Sequence, residues 1–267
     1  MRIILSRFIG KVARLRLKWF SIFLTKIFKI IFKIKDPIDP ERHRSLNDFF
    51  SRKKIVDISL LKNQKSFCSP AEGVISQYGA INNSTLVQAK GKYFDLVELF
   101  GGDYELSNQF ISGKFFTIYL APNNYHRVHV PRDGTLTKIR YIKGNLYSVS
   151  KKNSQRLENL YCKNERVVLY FKSERGHVFA LILVGALLVG SIALSYESVV
   201  KTVHQNYPKN TTVSVDPVHL SQLDEVGLFN FGSTVICVAS EQSLNFKEYL
   251  KEDLKIKVGQ AIGYSVA

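Results

Sequence analysis

The first 35 residues hold ten Lys or Arg and no Asp or Glu, interleaved with Trp19, Phe20, Phe23, Phe28 and Phe32. A segment so basic cannot be buried as a block, and one so apolar is poorly left in water. The chain must therefore set it against something other than its own core. From Trp19 to Ile34 the apolar positions 20, 23, 24, 27, 31 and 34 follow helical spacing, with Lys18, Thr25, Lys29 and Lys33 on another face. A core helix would be the ordinary reading of that stripe. Lysine on most turns without an acidic partner favours a helix lying in the interface of an anionic membrane. Proteins that bind nucleic acid usually carry their basic surface on the folded domain. Here the segment takes ten of the net +16 charges and leaves +6 for the rest of the chain. The expected anionic partner is a membrane surface, with no nucleic acid.

At 267 residues and 45% hydrophobic, the chain is long enough for one large domain beside this segment. The boundary is expected at Asp36-Pro37 and Asp39-Pro40, where prolines break the helix. That divides the chain into a basic helical segment over 1–36 and a domain over 37–267. Cys68, Cys162 and Cys237 are far apart and odd in number, which fits a reducing compartment and neither a disulfide scaffold nor a zinc site. No stretch reaches the roughly 18 uncharged apolar residues that a spanning helix needs. The charged start also lacks the small-residue cleavage site of a signal peptide. An acid-free, basic, amphipathic start resembles a mitochondrial presequence too, and that alternative stays open.

Within the domain, Arg44–Arg52 reads as a short helix capped by Ser45, with Phe49 and Phe50 turned inward. Asp95 and Glu98 read as a capping box ahead of Leu99 and Phe100. From Phe115 onward the texture is β-prone, in runs at 115–120, 135–141, 166–171, 179–184, 187–194 and 234–238. The apolar run from Ala180 to Leu194 is interrupted by Gly185, Gly190 and Ser191 and reads as buried strands. The expected fold class is α+β, a β-rich catalytic domain behind a basic amphipathic helix.

Three clusters stand apart from this background: Ser69-Pro70-Ala71-Glu72-Gly73, Tyr125-His126-Arg127-Val128-His129 and Gly232-Ser233-Thr234. Each has an ordinary reading alone: a turn entering a strand, two zinc ligands on a helix face, the start of a strand. The zinc reading lacks an obvious third ligand, so no metal is expected. Together the clusters supply an acid, a histidine and a serine, the parts of an activated nucleophile. The G-x-S-x-G turn of common serine hydrolases is absent. Ser233 instead follows a glycine, which permits strained backbone, and opens the last 35 residues of the chain. That setting suits a serine attacking the peptide bond that precedes it.

With these clusters in place, the sequence from about Arg44 onward resembles the bacterial-type phosphatidylserine decarboxylases. The resemblance is carried by LNDFFSR at 46–52, SPAEGVISQ at 69–77, QAKG at 88–91, YHRVHVP at 125–131 and GNLYSV at 144–149. It continues through NERV at 164–167, LVGALLVGSI at 183–192, EVGLFNFGST at 225–234 and Gly259-Gln260. It implies a proenzyme in which the Ser233 hydroxyl attacks the carbonyl of Gly232. The chain is then cut into a β chain (1–232) and an α chain (233–267) that remain associated. Ser233 becomes the cofactor, a covalent pyruvoyl group. By the same resemblance, it forms a Schiff base with the amine of phosphatidylserine and accepts electrons as the carboxylate leaves, giving phosphatidylethanolamine. His129 corresponds to the general base of self-cleavage, His126 to the proton donor of decarboxylation, and Glu72 to a supporting aspartate. The implied protein is a peripheral enzyme of phospholipid synthesis on the cytoplasmic face of a bacterial inner membrane, and a homo-oligomer is compatible with it.

Glu72 departs from the family pattern, which has Asp there. The extra methylene moves the carboxylate by roughly 1 Å, a displacement that can cost on the order of a hundredfold in rate. Two rival readings follow: an uncut, inactive lipid-binding relative, and a serine hydrolase that uses Ser233, His129 and Glu72 directly. The segment between Val200 and Glu225 matches no family motif and says nothing about substrate recognition.

Overall fold

The computed structural model of the chain describes residues 10–34, 43–54, 66–187, 192–195, 210–230 and 233–264. Asp36, Pro37, Asp39, Pro40, Gly190, Ser191 and Gly232, all singled out above, lie outside the described residues.

In chain order the strands are β1 (Ser66–Cys68), β2 (Gly73–Ala80), β3 (Thr85–Ala89), β4 (Lys92–Asp95), β5 (Lys114–Leu120), β6 (Arg127–His129), β7 (Gly134–Ile142) and β8 (Arg166–Lys172). They continue with β9 (Val178–Gly185), β10 (Ile192–Leu194), β11 (Thr211–Leu220), β12 (Glu225–Phe229), β13 (Ser233–Ala239), β14 (Asn245–Phe246), β15 (Lys255–Ile256) and β16 (Ala261–Tyr264). Eight of these form one sheet in the order β11-β7-β8-β9-β13-β5-β2-β15, beside smaller sheets β10-β12-β6, β1-β16-β14 and β3-β4. Every neighbouring pair in the large sheet is antiparallel.

β9 and β13 are buried along their whole length, and their alternate side chains enter two different cores. Phe179, Leu181, Leu183, Val235 and Cys237 join one core with Phe116, Ile118, Val128 and Phe229. Ala180, Ile182, Val184, Ile236 and Val238 join the other with Phe94, Leu99, Phe100 and Tyr161. A strand covered on both faces favours apolar residues throughout, which is why 178–185 and 235–239 read as continuous apolar runs, with Ser233 and Thr234 the buried polar residues at the start of β13. The expected strands at 115–120, 135–141, 166–171, 179–184 and 234–238 all form, with small shifts at their ends. Of the run at 187–194, Leu187 stands in a turn and Ile192–Leu194 forms β10, while residues 188–191 lie outside the described residues.

The helices follow their local signals. Ser45 caps α2 (Leu46–Phe50), its hydroxyl accepting the Asp48 N–H at 3.1 Å, and Phe49 and Phe50 are buried. Asp95 caps α3 (Leu96–Leu99) by accepting the Glu98 N–H at 2.8 Å. The basic helix forms as α1 (Lys18–Ile31), but its buried residues are Ser21, Ile22 and Thr25. Its bulkiest apolar side chains point away, with Trp19 83% exposed, Ile30 76% and Phe23 59%. A core helix would have the opposite orientation. Phe28 of α1 meets Phe50 of α2 with ring centroids 5.9 Å apart, which ties the helix to the domain.

One buried cation joins α3 to the large sheet. Arg166, at the start of β8, donates from Nε to the Leu99 carbonyl at 2.7 Å and from Nη2 to the Glu98 carbonyl at 2.5 Å. Its Nη1 donates to the carbonyls of Cys162 at 2.5 Å and Asn164 at 2.8 Å. Burial lowers its pKa to about 10. Arg166→Met should leave those four carbonyls without their donor and destabilise the fold by about 3 kcal/mol, lowering Tm by roughly 10 °C in thermal denaturation. Arg166→Lys should recover little, because an ammonium cannot reproduce the planar fork. A native Tm in both variants would remove Arg166 from the account.

Candidate active site

The three clusters meet at one end of the large sheet. β13 begins at Ser233, β5 ends at Leu120 and β9 ends at Gly185, and the antiparallel register sets Ser233 between those two residues. On the far side of β5, β2 begins at Gly73, so Glu72 stands at the same end. A Cβ on residue 73 would lie 2.3 Å from the Tyr119 carbonyl, so only glycine fits beside Glu72. The chain leaves β5 through a turn in which the Ala121 N–H donates to Asn124 Oδ1 at 2.8 Å. That turn delivers Tyr125–His129, and β6 pairs with β12, the strand that runs toward Ser233. The Phe229 N–H donates to the His126 carbonyl at 2.9 Å, and the His129 N–H to the Pro70 carbonyl at 2.8 Å. Backbone hydrogen bonds thus join the histidine cluster to Ser69–Gly73 and to β12, the strand that precedes Ser233 in the chain.

Ser233 is fully buried, and its hydroxyl has no hydrogen-bond partner among the described residues. Leaving a buried hydroxyl unsatisfied costs roughly 1–3 kcal/mol. Thr117 on β5 and Thr234 on β13 share that condition, and what sets Ser233 apart is its place at the strand end beside the other two clusters.

The two histidines are not on a helix, which corrects the picture of paired zinc ligands on one helix face. His129 ends β6, and His126 lies in the extended approach to it. His126 is fully buried, stacks on Phe50 at 4.0 Å, and donates from Nε2 to the Ala121 carbonyl at 3.0 Å. Because a carbonyl requires a donor, the proton sits on Nε2, and Nδ1 is a bare acceptor without a partner among the described residues. Burial pulls the His126 pKa down to about 3. His129 donates from Nδ1 to the Leu223 carbonyl at 2.7 Å, leaving Nε2 to accept from the Tyr125 hydroxyl at 3.1 Å. Burial lowers its pKa as well. The Tyr125 phenol, raised to about 12 chiefly by burial, keeps the proton it donates.

Glu72 does not complete a direct line from acid to histidine to serine. Its Oε1 accepts from Asn124 Nδ2 and from the Tyr125 N–H, both at 3.3 Å, and its Oε2 faces Lys54 Nζ at 3.5 Å. The His129 Nδ1, where a supporting acid would bind, is taken by the Leu223 carbonyl. Glu72 reaches His129 only through Tyr125, whose backbone it holds and whose ring stacks on His129 with centroids 5.7 Å apart. Tyr125, Phe50 and Leu223 therefore belong to the site in roles that sequence reasoning missed. Tyr125 and Phe50 lie inside the quoted motifs, which was the available signal. Leu223 contributes a backbone carbonyl, which any residue type would supply. Beside Glu72 the surface opens into a cavity of about 520 Å³ lined by Glu72, Gly73, Val74, Ala121, Asn123, Asn124, Lys255, Ile256, Lys257 and Gln260.

A family model described as phosphatidylserine decarboxylase matches residues 46–264. Curated proteins named phosphatidylserine decarboxylase proenzyme from Aliivibrio salmonicida, Idiomarina loihiensis and Francisella tularensis subsp. holarctica are 37%, 36% and 39% identical to this chain. The alignments cover 96%, 97% and 96% of this chain and 91% of each relative. The similarity therefore extends through all three clusters and across the whole sheet.

The burial of His126 sets a pH dependence. Its folded pKa of about 3 lies below the ordinary 6.5, so between these values the unfolded chain holds the extra proton. Stability is present above the ordinary pKa and is lost as pH falls below it, by up to about 1.4 kcal/mol per pH unit from this group. His126→Gln can still donate to Ala121 and should flatten that acid-side slope in urea unfolding measured between about pH 6 and about pH 4. Equal slopes in the two proteins would mean that His126 is not buried in solution.

Proposed function

Because this chain belongs to the phosphatidylserine decarboxylase family and decarboxylates phosphatidylserine, we propose that the electron sink for that reaction is a pyruvoyl group made by cutting the chain between Gly232 and Ser233. The observation that carries this reading is the position of Ser233, buried at the head of β13 and set by strand register beside the segments that hold Glu72, His126 and His129. A residue enclosed between two strands and flanked by general-base candidates fits a group that must be made in place.

In this reading Ser233 Oγ attacks the Gly232 carbonyl carbon, the peptide C–N bond breaks, and the nitrogen of residue 233 takes up a proton. The two residues are then joined by an ester. Removal of the Ser233 Cα proton expels the Gly232 carboxylate, and water releases ammonia to leave a ketone at the head of 233–267. The pyruvoyl carbonyl supplies the acceptor for the electron pair left when carbon dioxide departs.

His129 is the general base, its ring oriented by the Leu223 carbonyl, and it takes the serine proton when the Tyr125 hydroxyl yields its place on Nε2 or relays the proton. Glu72 is a positioning residue that fixes Asn124 and Tyr125 against the histidine. His126 serves in the cut enzyme, handing a proton to the substrate carbon that has lost its carboxylate. In the uncut chain its Nδ1 carries no proton, and the cut beside Ser233 opens that buried nitrogen to one.

The exposed apolar face of α1, with Lys18, Lys26 and Lys33 exposed alongside, is the proposed contact with an anionic membrane. No helix among the described residues is long and apolar enough to cross a membrane. The proposed location is peripheral, on the cytoplasmic face, where free Cys68, Cys162 and Cys237 would stay reduced.

Purified protein should show two chains by denaturing gel and intact mass, the smaller being residues 233–267 with a blocked N-terminus and one ammonia less than its serine form. Ser233→Ala should leave a single inactive chain of 30.4 kDa. His129→Ala should block the cut, whereas His126→Ala should permit it and slow decarboxylation about a hundredfold or more. An uncut native chain would favour the inactive lipid-binding alternative, and labelling by a fluorophosphonate would favour the hydrolase. Removing residues 1–35 should release the protein from anionic vesicles, since each of its ten basic residues contributes about 1 kcal/mol near such a surface. Vesicle binding that survives the truncation would refute the role of α1.

A further inference from the structure

We propose that position 185 is glycine so that a base can reach the α-proton of Ser233, the step that turns an internal ester into the pyruvoyl group. This assignment rests on the pyruvoyl reading above and names the residue that opens one step of it. Gly185 on β9 is the register partner of Ser233 on β13. Its N–H donates to the Glu165 carbonyl at 2.8 Å, and its carbonyl accepts from Asn164 Nδ2 at 2.8 Å. Both groups are thus turned away from β13, toward the chain entering β8. Gly185 and Ser233 therefore form a non-hydrogen-bonded pair, the narrow kind with Cα atoms about 4.5 Å apart. In such a pair the N–H and C=O of each residue point outward and the Cα–H points across the gap. The α-hydrogen of Ser233 accordingly faces Gly185.

Side chains at the two positions share a face, because Leu183 and Val235, paired two residues along, enter the same core. A side chain at 185 would stand roughly 5 Å from the Ser233 Cβ and cover that hydrogen. Nothing in the fold itself demands the glycine. Its φ is not positive. A Cβ there would meet the Glu165 carbonyl oxygen at 3.3 Å, Leu146 Cδ2 at 3.5 Å and Ile192 Cδ1 at 4.0 Å, so only a small shift would admit it. At Gly73, Gly113 and Gly144 the same atom would stand 2.3, 2.2 and 2.5 Å from a backbone atom. Glycine weakens a strand interior and marks a close approach by something else. Here the chemistry supplies that approach. Attack by Ser233 Oγ moves the Gly232 acyl group from nitrogen to oxygen without touching the Cα–H. A base, an imidazole or a water, then takes the Cα proton. The C–H electron pair becomes the Cα–Cβ double bond, the Cβ–Oγ bond breaks, and Gly232 departs as a carboxylate. The enamine left behind takes a proton at Cβ and is hydrolysed to the ketone with loss of ammonia. Only the elimination needs access to the hydrogen that faces Gly185.

Gly185→Ala should fold with a Tm close to native and stall after the acyl shift, with pyruvoyl formation slowed about a hundredfold. The ester has the mass of the intact chain, so hydroxylamine is the probe that reveals it. Applied at neutral pH to the folded variant, it should cut the ester and release 233–267 with a free serine amine, readable by Edman degradation. The native protein treated in the same way should show only the blocked fragment. Leu146→Ala added to Gly185→Ala relieves the nearest side chain while leaving a Cβ over the hydrogen, so the double variant should stall equally. Pyruvoyl formation at the native rate in Gly185→Ala would overturn the assignment. Its recovery in the double variant would do so too, by tracing the glycine to the packing of Leu146. A folded variant that hydroxylamine does not cut would place the block before the ester and overturn the assignment, as would failure of both variants to fold. A native protein left as one uncut chain would instead bring down the pyruvoyl reading beneath it.

Discussion

β13 is hydrogen-bonded to β5 on one side and β9 on the other, and a separate core covers each of its faces. The rest of the site depends on that double enclosure. A cut just before Ser233 would make β13 the first element of a new chain, which a loosely held segment would not survive. Here the side chains of Val235, Ile236 and Val238 are completely buried, and each such residue contributes roughly 1.5–3 kcal/mol of apolar burial. With two backbone ladders added, a short chain released by the proposed cut would keep the contacts that hold it now. Ser233 sits at the head of a central strand, where its position is set by two neighbours.

The burial that retains the strand also sets the charge states around it. His126 and His129 both lose basicity because the charged ring is poorly solvated where they lie. Each is oriented by a backbone carbonyl at one nitrogen, Ala121 for His126 and Leu223 for His129, which fixes the tautomer and presents the other nitrogen as an acceptor. Self-cleavage calls for a neutral base, so this environment suits the first reaction. Decarboxylation calls for a proton donor, and the same environment opposes a charged His126 in the uncut chain. In the proposed mechanism the cut would have to alter that environment before His126 could serve as the donor.

The site also lies close to the surface that would face lipid. Phe28 of α1 contacts Phe50 of α2, and Phe50 stacks on His126. Two ring contacts therefore connect the exposed apolar helix to a fully buried histidine. If α1 docks on a bilayer as proposed, a head group lifted only a short way from it would find the proposed reacting residues close by.

Sequence alone determined the features that depend on neighbouring residues. Ser45 and Asp95 announced their helices because a cap acts within four residues, and α1 was legible because its stripe repeats at helical spacing. The strands at 179–184 and 234–238 were legible because two-sided burial favours long apolar runs, here 179–184 and 235–238 after Thr234. Ser233, His126, His129 and Glu72 were visible as residue types in family motifs. Only the tertiary structure decided how they are used. It gave the His129 Nδ1 to the Leu223 carbonyl, turned Glu72 toward Asn124, Tyr125 and Lys54, stacked Phe50 on His126, and set Gly185 opposite Ser233. It also showed that the apolar stripe of α1 faces outward. Backbone carbonyls have no identity in a sequence, and which face of a helix is covered depends on partners far along the chain. Pairings across a sheet arise only when distant strands find their register, so they belong to the fold and to no local pattern.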